Sequence, residues 1–198
     1  GSIISFLLGS RLYEINPAYP FWLGSALVLL ASILVFSFIR EPKEFVTSNE
    51  KQPGLWESLQ SVVRDEDKSA LRVLMAILFW FISYSAIEAF FTLYAQNYLG
   101  YSESSGAGAR LLGQLSLMFV IFALPAGMIG ARFGRKHTIM TGVSIMFLAM
   151  FSMFFIPAET LNIVLAAKVP VLGDIPVIGP ILMVAGIAWA LININSLP

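Results

Sequence analysis

Residues 127–136 read Gly-Met-Ile-Gly-Ala-Arg-Phe-Gly-Arg-Lys, a short basic turn between two long apolar segments. Gly127 and Gly130 have no side chain to hold neighbouring helices apart, so close helix packing is possible there. Gly134 permits the backbone angles of a sharp turn. The basic side chains that keep the turn in water are Arg132, Arg135 and Lys136. This stretch predicts two membrane helices that meet at a tight turn.

Apolar blocks extend in both directions from the turn. Hydrophobic residues make up 58% of the 198-residue chain and charged residues 12%, against about 25% charged residues in soluble domains. Blocks of about 20 apolar residues match a hydrocarbon core about 30 Å thick. Hydropathy predicts the end of one helix over residues 3–8, and spans over residues 21–39, 71–99, 109–131, 138–156 and 180–198. The predicted fold is an all-α, polytopic transmembrane helix bundle.

Three stretches between the spans are predicted to stay out of the bilayer. Residues 13–20 are rich in Tyr, Asn and Pro and indicate a loop. Residues 55–64 carry apolar residues at helical spacing, which predicts a short amphipathic helix on the membrane surface or packed on the span ends. Residues 158–178 contain Lys168, Asp174 and interrupting prolines, so a helical span would leave backbone groups unpaired in lipid. We expect a surface loop there, although a re-entrant segment stays open.

Loop charges predict the orientation. Of the twelve lysines and arginines, nine lie in or beside residues 40–70 and 132–137, and three lie on the opposite side. Basic residues concentrate in cytoplasmic loops. We therefore expect residues 40–70 and 132–137 to be cytoplasmic in a multi-pass protein of the plasma (inner) membrane.

Composition also argues against several function classes. The chain has no cysteine, one histidine and a net charge of zero, so neither a metal site nor a cofactor nor a nucleic-acid partner is predicted. The spans hold no nucleophile–base pair, no HExxH and no paired aspartates, so the chain is not expected to be an enzyme.

Glu88 is the residue that chemistry singles out. A carboxylate inside a span costs a few kcal/mol unless it faces protein or water, pairs, or takes up a proton. Four-residue spacing places it in one polar stripe of its helix, with Trp80, Tyr84, Thr92 and Gln96. Such a stripe suits a substrate and proton pathway, because an aromatic ring, hydroxyls and a carboxylate can hold a sugar. The alternative is a structural group that joins helices.

Four further polar residues are weaker candidates. Arg110 and Gln114 lie one turn apart in the next span and could line the same pathway. In the last span Trp189 and Asn193 share a face, whereas Asn195 points elsewhere. Buried amides often join membrane helices, so a structural role stays open for them.

The basic turn resembles the conserved loop of the major facilitator superfamily, which reads glycine-x-x-x-aspartate-basic-x-glycine-basic-basic. The resemblance implies that the turn is a cytoplasmic gating loop, although Ala131 stands where that family has its aspartate and so removes one partner of the charge-paired gate. The spacing of the spans is similar to helices five to ten of a twelve-helix transporter. Residues 186–198, Gly-Ile-Ala-Trp-Ala-Leu-Ile-Asn-Ile-Asn-Ser-Leu-Pro, look like the tenth helix of the sucrose–proton symporter-like (glycoside-pentoside-hexuronide) branch.

The resemblance implies a domain organisation and a function. Residues 1–39 would end the N-terminal half (part of helix five, and helix six), 40–70 would form the central cytoplasmic loop, and 71–198 would supply helices seven to ten. The implied function is secondary active transport, specifically sugar–proton symport by alternating access, with the lipid bilayer, a small solute and protons as partners. Five spans cannot form two six-helix halves, so the chain is expected to be a fragment that acts with the missing remainder of its own chain. The alternative is a non-transporting membrane subunit.

Overall fold

The computed structural model describes residues 2–38, 54–102, 106–170 and 172–196, with side chains from Ser5 onward. These ranges contain eight helices and one antiparallel hairpin. Their bounds are α1 Ser2–Ile15, α2 Tyr19–Phe38, α3 Leu55–Arg64, α4 Ser69–Asn97, α5 Ala107–Phe133, α6 Arg135–Phe155, α7 Ala158–Leu161, β1 Val164–Val169, β2 Gly173–Pro176 and α8 Ile178–Ser196.

Five helices are long and apolar enough to cross a membrane: α2, α4, α5, α6 and α8. They coincide with the five predicted spans, so the all-α polytopic fold is confirmed. The 20 residues of α2 rise about 30 Å, the thickness of a hydrocarbon core. The 29 residues of α4 rise about 43 Å, so α4 must tilt or extend beyond the core.

Large apolar side chains cover the outer faces of these helices. Phe36 of α2 is 90% exposed and Phe154 of α6 is 81% exposed. So much exposed apolar surface is rare on a soluble monomer and marks contact with another apolar phase. In this chain that phase is lipid, which solvates the helices without any need for a polar surface.

The predicted loop over residues 13–20 is wrong in extent. Helix α1 continues to Ile15, and three residues separate it from α2. The side-chain oxygen of Asn16 accepts a hydrogen bond of 2.8 Å from the backbone N–H of Ala18, which closes the turn. Pro20 is the second residue of α2, and a helix tolerates proline in its first turn because that N–H has no partner there.

Residues 158–178 do not form a helical span, as predicted, but they are more regular than a surface loop. The helix α7 is followed by an antiparallel pair in which Val164 faces Pro176 and Val169 faces Gly173. Strand pairing gives partners to backbone groups that the prolines would deny to a helix. Lys168 has a φ of 54°, and its backbone N–H donates to the Asp174 carboxylate at 2.8 Å.

Two compact units divide the described chain. The first contains residues 1–21 and 87–198, and α8 is its centre, packed against α5 and α6. A Cβ at Gly186 would lie 2.1 Å from the backbone oxygen of Leu115, and one at Gly142 would lie 2.8 Å from that of Ala188. Small residues therefore let the α8 backbone touch both neighbouring helices, as membrane helices commonly do.

The second unit contains residues 22–86. Within it, α3 confirms the predicted helix of residues 55–64. Glu57 accepts a hydrogen bond from the N–H of Gly54 at 3.2 Å, and the Lys68 ammonium donates to the oxygens of Val63 and Asp65. Both ends of α3 are thus capped. Its position on the membrane surface stays a prediction, and Arg40, Lys43 and Lys51 of the predicted cytoplasmic loop lie outside the described residues.

Candidate functional site

The polar stripe of α4 lies on a partly buried side of that helix. All five of its members are half-buried, whereas Phe79 and Phe90 on the same helix are exposed. The stripe consists of Trp80, Tyr84, Glu88, Thr92 and Gln96. In the described part of the chain, the buried indole N–H of Trp80 has no hydrogen-bond partner.

Glu88 lies well inside the span. It stands nine residues before Asn97, the last residue of α4, which is about 14 Å along the helix. Among the residues that the structure describes, the salt bridge joins Glu14 to Arg110 and none involves Glu88. Glu88 is therefore half-buried and has no salt-bridge partner among these residues.

A cavity of about 350 Å³ opens at the end of α4 where the stripe finishes. Thr92 and Gln96 of the stripe line it together with residues of α1 and α5. The other lining residues are Ser5, Gly9, Ser10, Tyr13, Pro20, Phe21, Tyr101, Ser102, Gly106, Ala107, Gly108 and Ala109. Glu88 is one turn, about 6 Å, from Thr92, so the cavity ends close to the carboxylate.

Two glycines allow the helices that line this cavity to pack closely. Gly106 has a φ of +58° and lies against the backbone of Ser10, where a Cβ would come within 2.8 Å of the oxygen. A Cβ at Gly108 would lie 3.1 Å from the Cα of Thr92. A side chain at either position would push α5 away from α1 or α4, so these glycines set the width of the cavity.

Tyr101 contributes a phenol to the cavity from the loop after α4. Burial raises its pKa above the ordinary value of 10.0, and the nearby Asp174 carboxylate raises the pKa further. Both effects favour the neutral phenol. Its hydroxyl is therefore available as a hydrogen-bond donor or acceptor across the physiological pH range.

Gln114 and Arg110 do not line this cavity in the described chain. Gln114 is fully buried, and its amide N–H donates to the backbone oxygen of Asp174 at 3.4 Å. Its oxygen points at Gly179, where a Cβ would come within 2.4 Å. Arg110 pairs with Glu14 of α1. Both residues join α5 to its neighbours, and the buried side-chain oxygen of Gln114 has no hydrogen-bond partner among the described residues.

The polar residues of α8 do not have the surroundings that the sequence predicts. Trp189 is buried and Asn193 half-buried, and neither lines the cavity beside α4 in the described chain. Asn195, which the sequence predicts to point away from Trp189 and Asn193, is buried and donates to the backbone oxygens of Ala126 at 3.1 Å and Leu191 at 2.9 Å. Sequence reasoning missed this contact because an asparagine in an apolar helix does not indicate its partner.

The basic turn takes the form that its glycines suggest. Gly134 alone separates α5 from α6 and has a φ of +92°. Gly130 is buried against the side chain of Asn195, whereas a Cβ at Gly127 would meet Ile194 at an ordinary 3.5 Å. The basic side chains of the turn, Arg132, Arg135 and Lys136, are exposed. The structure thus places both glycines of α5 in the motif against α8, with Gly130 in the closer contact, and leaves the charges free to face water or lipid headgroups.

No group of three or more His, Cys, Asp or Glu residues that could hold a metal ion occurs in the residues described.

Comparison with known proteins gives one match. A family model described as Major Facilitator Superfamily matches residues 1–197. Neither the curated proteins nor the solved structures include a significant match to this chain.

Proposed function

This chain belongs to the major facilitator superfamily, a family of secondary transporters, and from that premise we propose that it serves sugar–proton symport by alternating access. The family match covers nearly the whole chain, which favours transport over a non-transporting membrane subunit. In alternating access, two groups of helices rock around a site near the midplane of the bilayer. The basic turn, residues 127–136, is proposed as part of the cytoplasmic gate.

Glu88 carries the proposal. An intramembrane carboxylate is expensive and is usually functional or paired, and Glu88 forms no ion pair among the described residues. It also stands one turn from a cavity that could deliver water or solute to it. A carboxylate that exchanges protons with such a cavity can couple proton movement to solute movement.

The rest of the stripe supplies contacts suited to a sugar. Trp80 and Tyr84 offer aromatic faces for the apolar side of a sugar ring, and Thr92 offers a hydroxyl for hydrogen bonds. The buried N–H of Trp80, which has no partner among the described residues, would gain one from a sugar hydroxyl. Trp189 and Asn193 stay proposed contacts on α8, and Gln114 is retained with less support because its amide already contacts Asp174.

Uptake by the protein encoded in its complete reading frame tests the proposal. We expect uphill accumulation of at least one of sucrose, lactose and xylose when an inward proton gradient is imposed. Glu88→Gln should abolish uphill accumulation and leave downhill exchange of the same sugar intact. Glu159→Gln is the matched control, because Glu159 is exposed in α7.

Two results would contradict the proposal. Unchanged uphill uptake by Glu88→Gln would remove Glu88 from the coupling mechanism. Sugar uptake that follows its own gradient and ignores the proton gradient would refute symport while leaving transport intact.

A further inference from the structure

The cavity between α1, α4 and α5 has a chemistry of its own. Its lining contains hydroxyl groups, one amide and two phenols, and no described lining side chain carries a charge at neutral pH. The phenols belong to Tyr13 and Tyr101, and the amide to Gln96. These groups both donate and accept hydrogen bonds, so a largely apolar wall carries a few uncharged polar groups, as small-molecule sites commonly do.

Two charges beside the cavity are paired with each other. Glu14 follows Tyr13 in sequence and Arg110 follows Ala109, and these two charged residues form an ion pair with each other. An ionic solute in the cavity would lose its hydration without gaining a charged partner among the described lining side chains, which is costly. A neutral polar solute loses much less, and the wall groups replace its hydrogen bonds to water.

Size and rigidity also fit a small solute. The volume of about 350 Å³ is within the range of roughly 300–1,000 Å³ found for small-molecule sites. Gly106 and Gly108 fix α5 against α1 and α4, so the walls are in place before a solute arrives. A preformed site spends less of its binding free energy on ordering.

We propose that this cavity is a binding station for a neutral, polyhydroxylated solute, which then moves along α4 toward Glu88. The station is distinct from the coupling carboxylate, since Glu88 does not line the described cavity. This inference rests on the proposed function because it names the class of solute and the place where it first binds.

Equilibrium binding to the purified protein from the complete reading frame tests the station without any proton gradient. Radiolabelled sucrose, lactose and xylose are the probes. We expect at least one of them to bind, and Tyr101→Phe and Thr92→Val each to raise its Kd by about tenfold, which corresponds to about 1.4 kcal/mol. The matched controls are Tyr98→Phe and Thr141→Val, because neither residue lines the described cavity.

The outcomes separate this inference from the proposed function. Tyr101→Phe and Thr92→Val proteins that bind as tightly as their controls would overturn the station, whatever Glu88→Gln does to uphill uptake. Failure of all three sugars to bind the wild-type protein would also overturn it. Conversely, weakened binding in both cavity variants would support the station even if Glu88→Gln left uphill uptake unchanged. Because the two variants lie in different elements, misfolding of one leaves the other as a test.

Discussion

Replacing Gly130 with alanine probes the contact that the sequence did not reveal. The added Cβ would lie 1.6 Å from the side-chain oxygen of Asn195 and 2.6 Å from its Cγ, so the amide must move. Asn195 is 6% exposed and donates to the backbone oxygens of Ala126 and Leu191. Moving it breaks the interhelical bond to Ala126 and leaves a buried amide poorly paired.

The magnitude follows from two opposed contributions. Leaving a buried polar group without its partner costs about 1–3 kcal/mol. Alanine is favoured over glycine inside a helix by about 1 kcal/mol, which offsets part of that cost. We expect Gly130→Ala to lower the free energy of unfolding by about 0–2 kcal/mol. Gly127→Ala is the control, since its Cβ meets Ile194 at 3.5 Å, and we expect it to be neutral or stabilising.

Reversible unfolding in mixed detergent micelles, followed by circular dichroism, measures these changes. Asn195→Ala removes the obstacle, so the double variant Gly130→Ala/Asn195→Ala should be no less stable than Asn195→Ala alone. This non-additivity is the signature of a direct contact. Equal stabilities of Gly130→Ala and Gly127→Ala, or strictly additive losses in the double variant, would refute the reasoning.

Three further predictions concern packing and charge. Gly186→Ala should lower the free energy of unfolding by about 3 kcal/mol, because its Cβ would meet the backbone oxygen of Leu115 at 2.1 Å. Gly24→Ala in α2 is the control, since a Cβ there would meet nothing within 4 Å, and a Gly186→Ala protein that loses no more stability than the Gly24→Ala protein would contradict this. Glu14→Gln should cost less than about 1 kcal/mol, with the difference shrinking in high salt, since Glu14 and Arg110 are 29–34% exposed; a salt-independent loss would argue against a solvent-screened pair. Hydrogen bonds from the side chain and backbone of Ser69, the first residue of α4, lower the pKa of Asp67 below its ordinary 3.8. The ionised Asp67 carboxylate therefore stabilises the start of α4 fully above pH 3.8, and this stabilisation is lost as the pH falls through the lowered pKa. Hydrogen exchange in the first turn of α4 should show this acid dependence in the wild type and not in Asp67→Ala.

The long spans were predictable because a bilayer imposes a strong and local requirement. Any segment that crosses lipid must be apolar for about 20 residues and must satisfy its own backbone hydrogen bonds. Hydropathy alone therefore located α2, α4, α5, α6 and α8. The Glu88 stripe was predictable for the same reason, since a polar residue in an apolar run is conspicuous and helical spacing shows which residues share its face.

The remaining features depend on contacts between distant segments. Hairpin β1–β2 forms because two strands pair across a turn, and nothing in the apolar composition of residues 164–176 distinguishes a strand from an irregular loop. The burial of Gln114 follows from its place beside Gly179 and Asp174, which are more than 50 residues away in sequence. The contact of Asn195 with Gly130 is likewise set by how α8 crosses α5.

Helix α5 connects the proposed solute station to the basic turn. Its first turns are fixed against α1 and α4 at Gly106 and Gly108, and its last turns are fixed against α8 at Gly130. Pro125 stands between these contacts and lacks the N–H that would bond to the backbone oxygen of Ile121. Because a helix bends most easily where such a bond is missing, we expect motion of one end of α5 relative to the other to concentrate near Pro125. The two ends can then hold their own neighbours while the angle between them changes, which is what a gate and a binding site on one helix require.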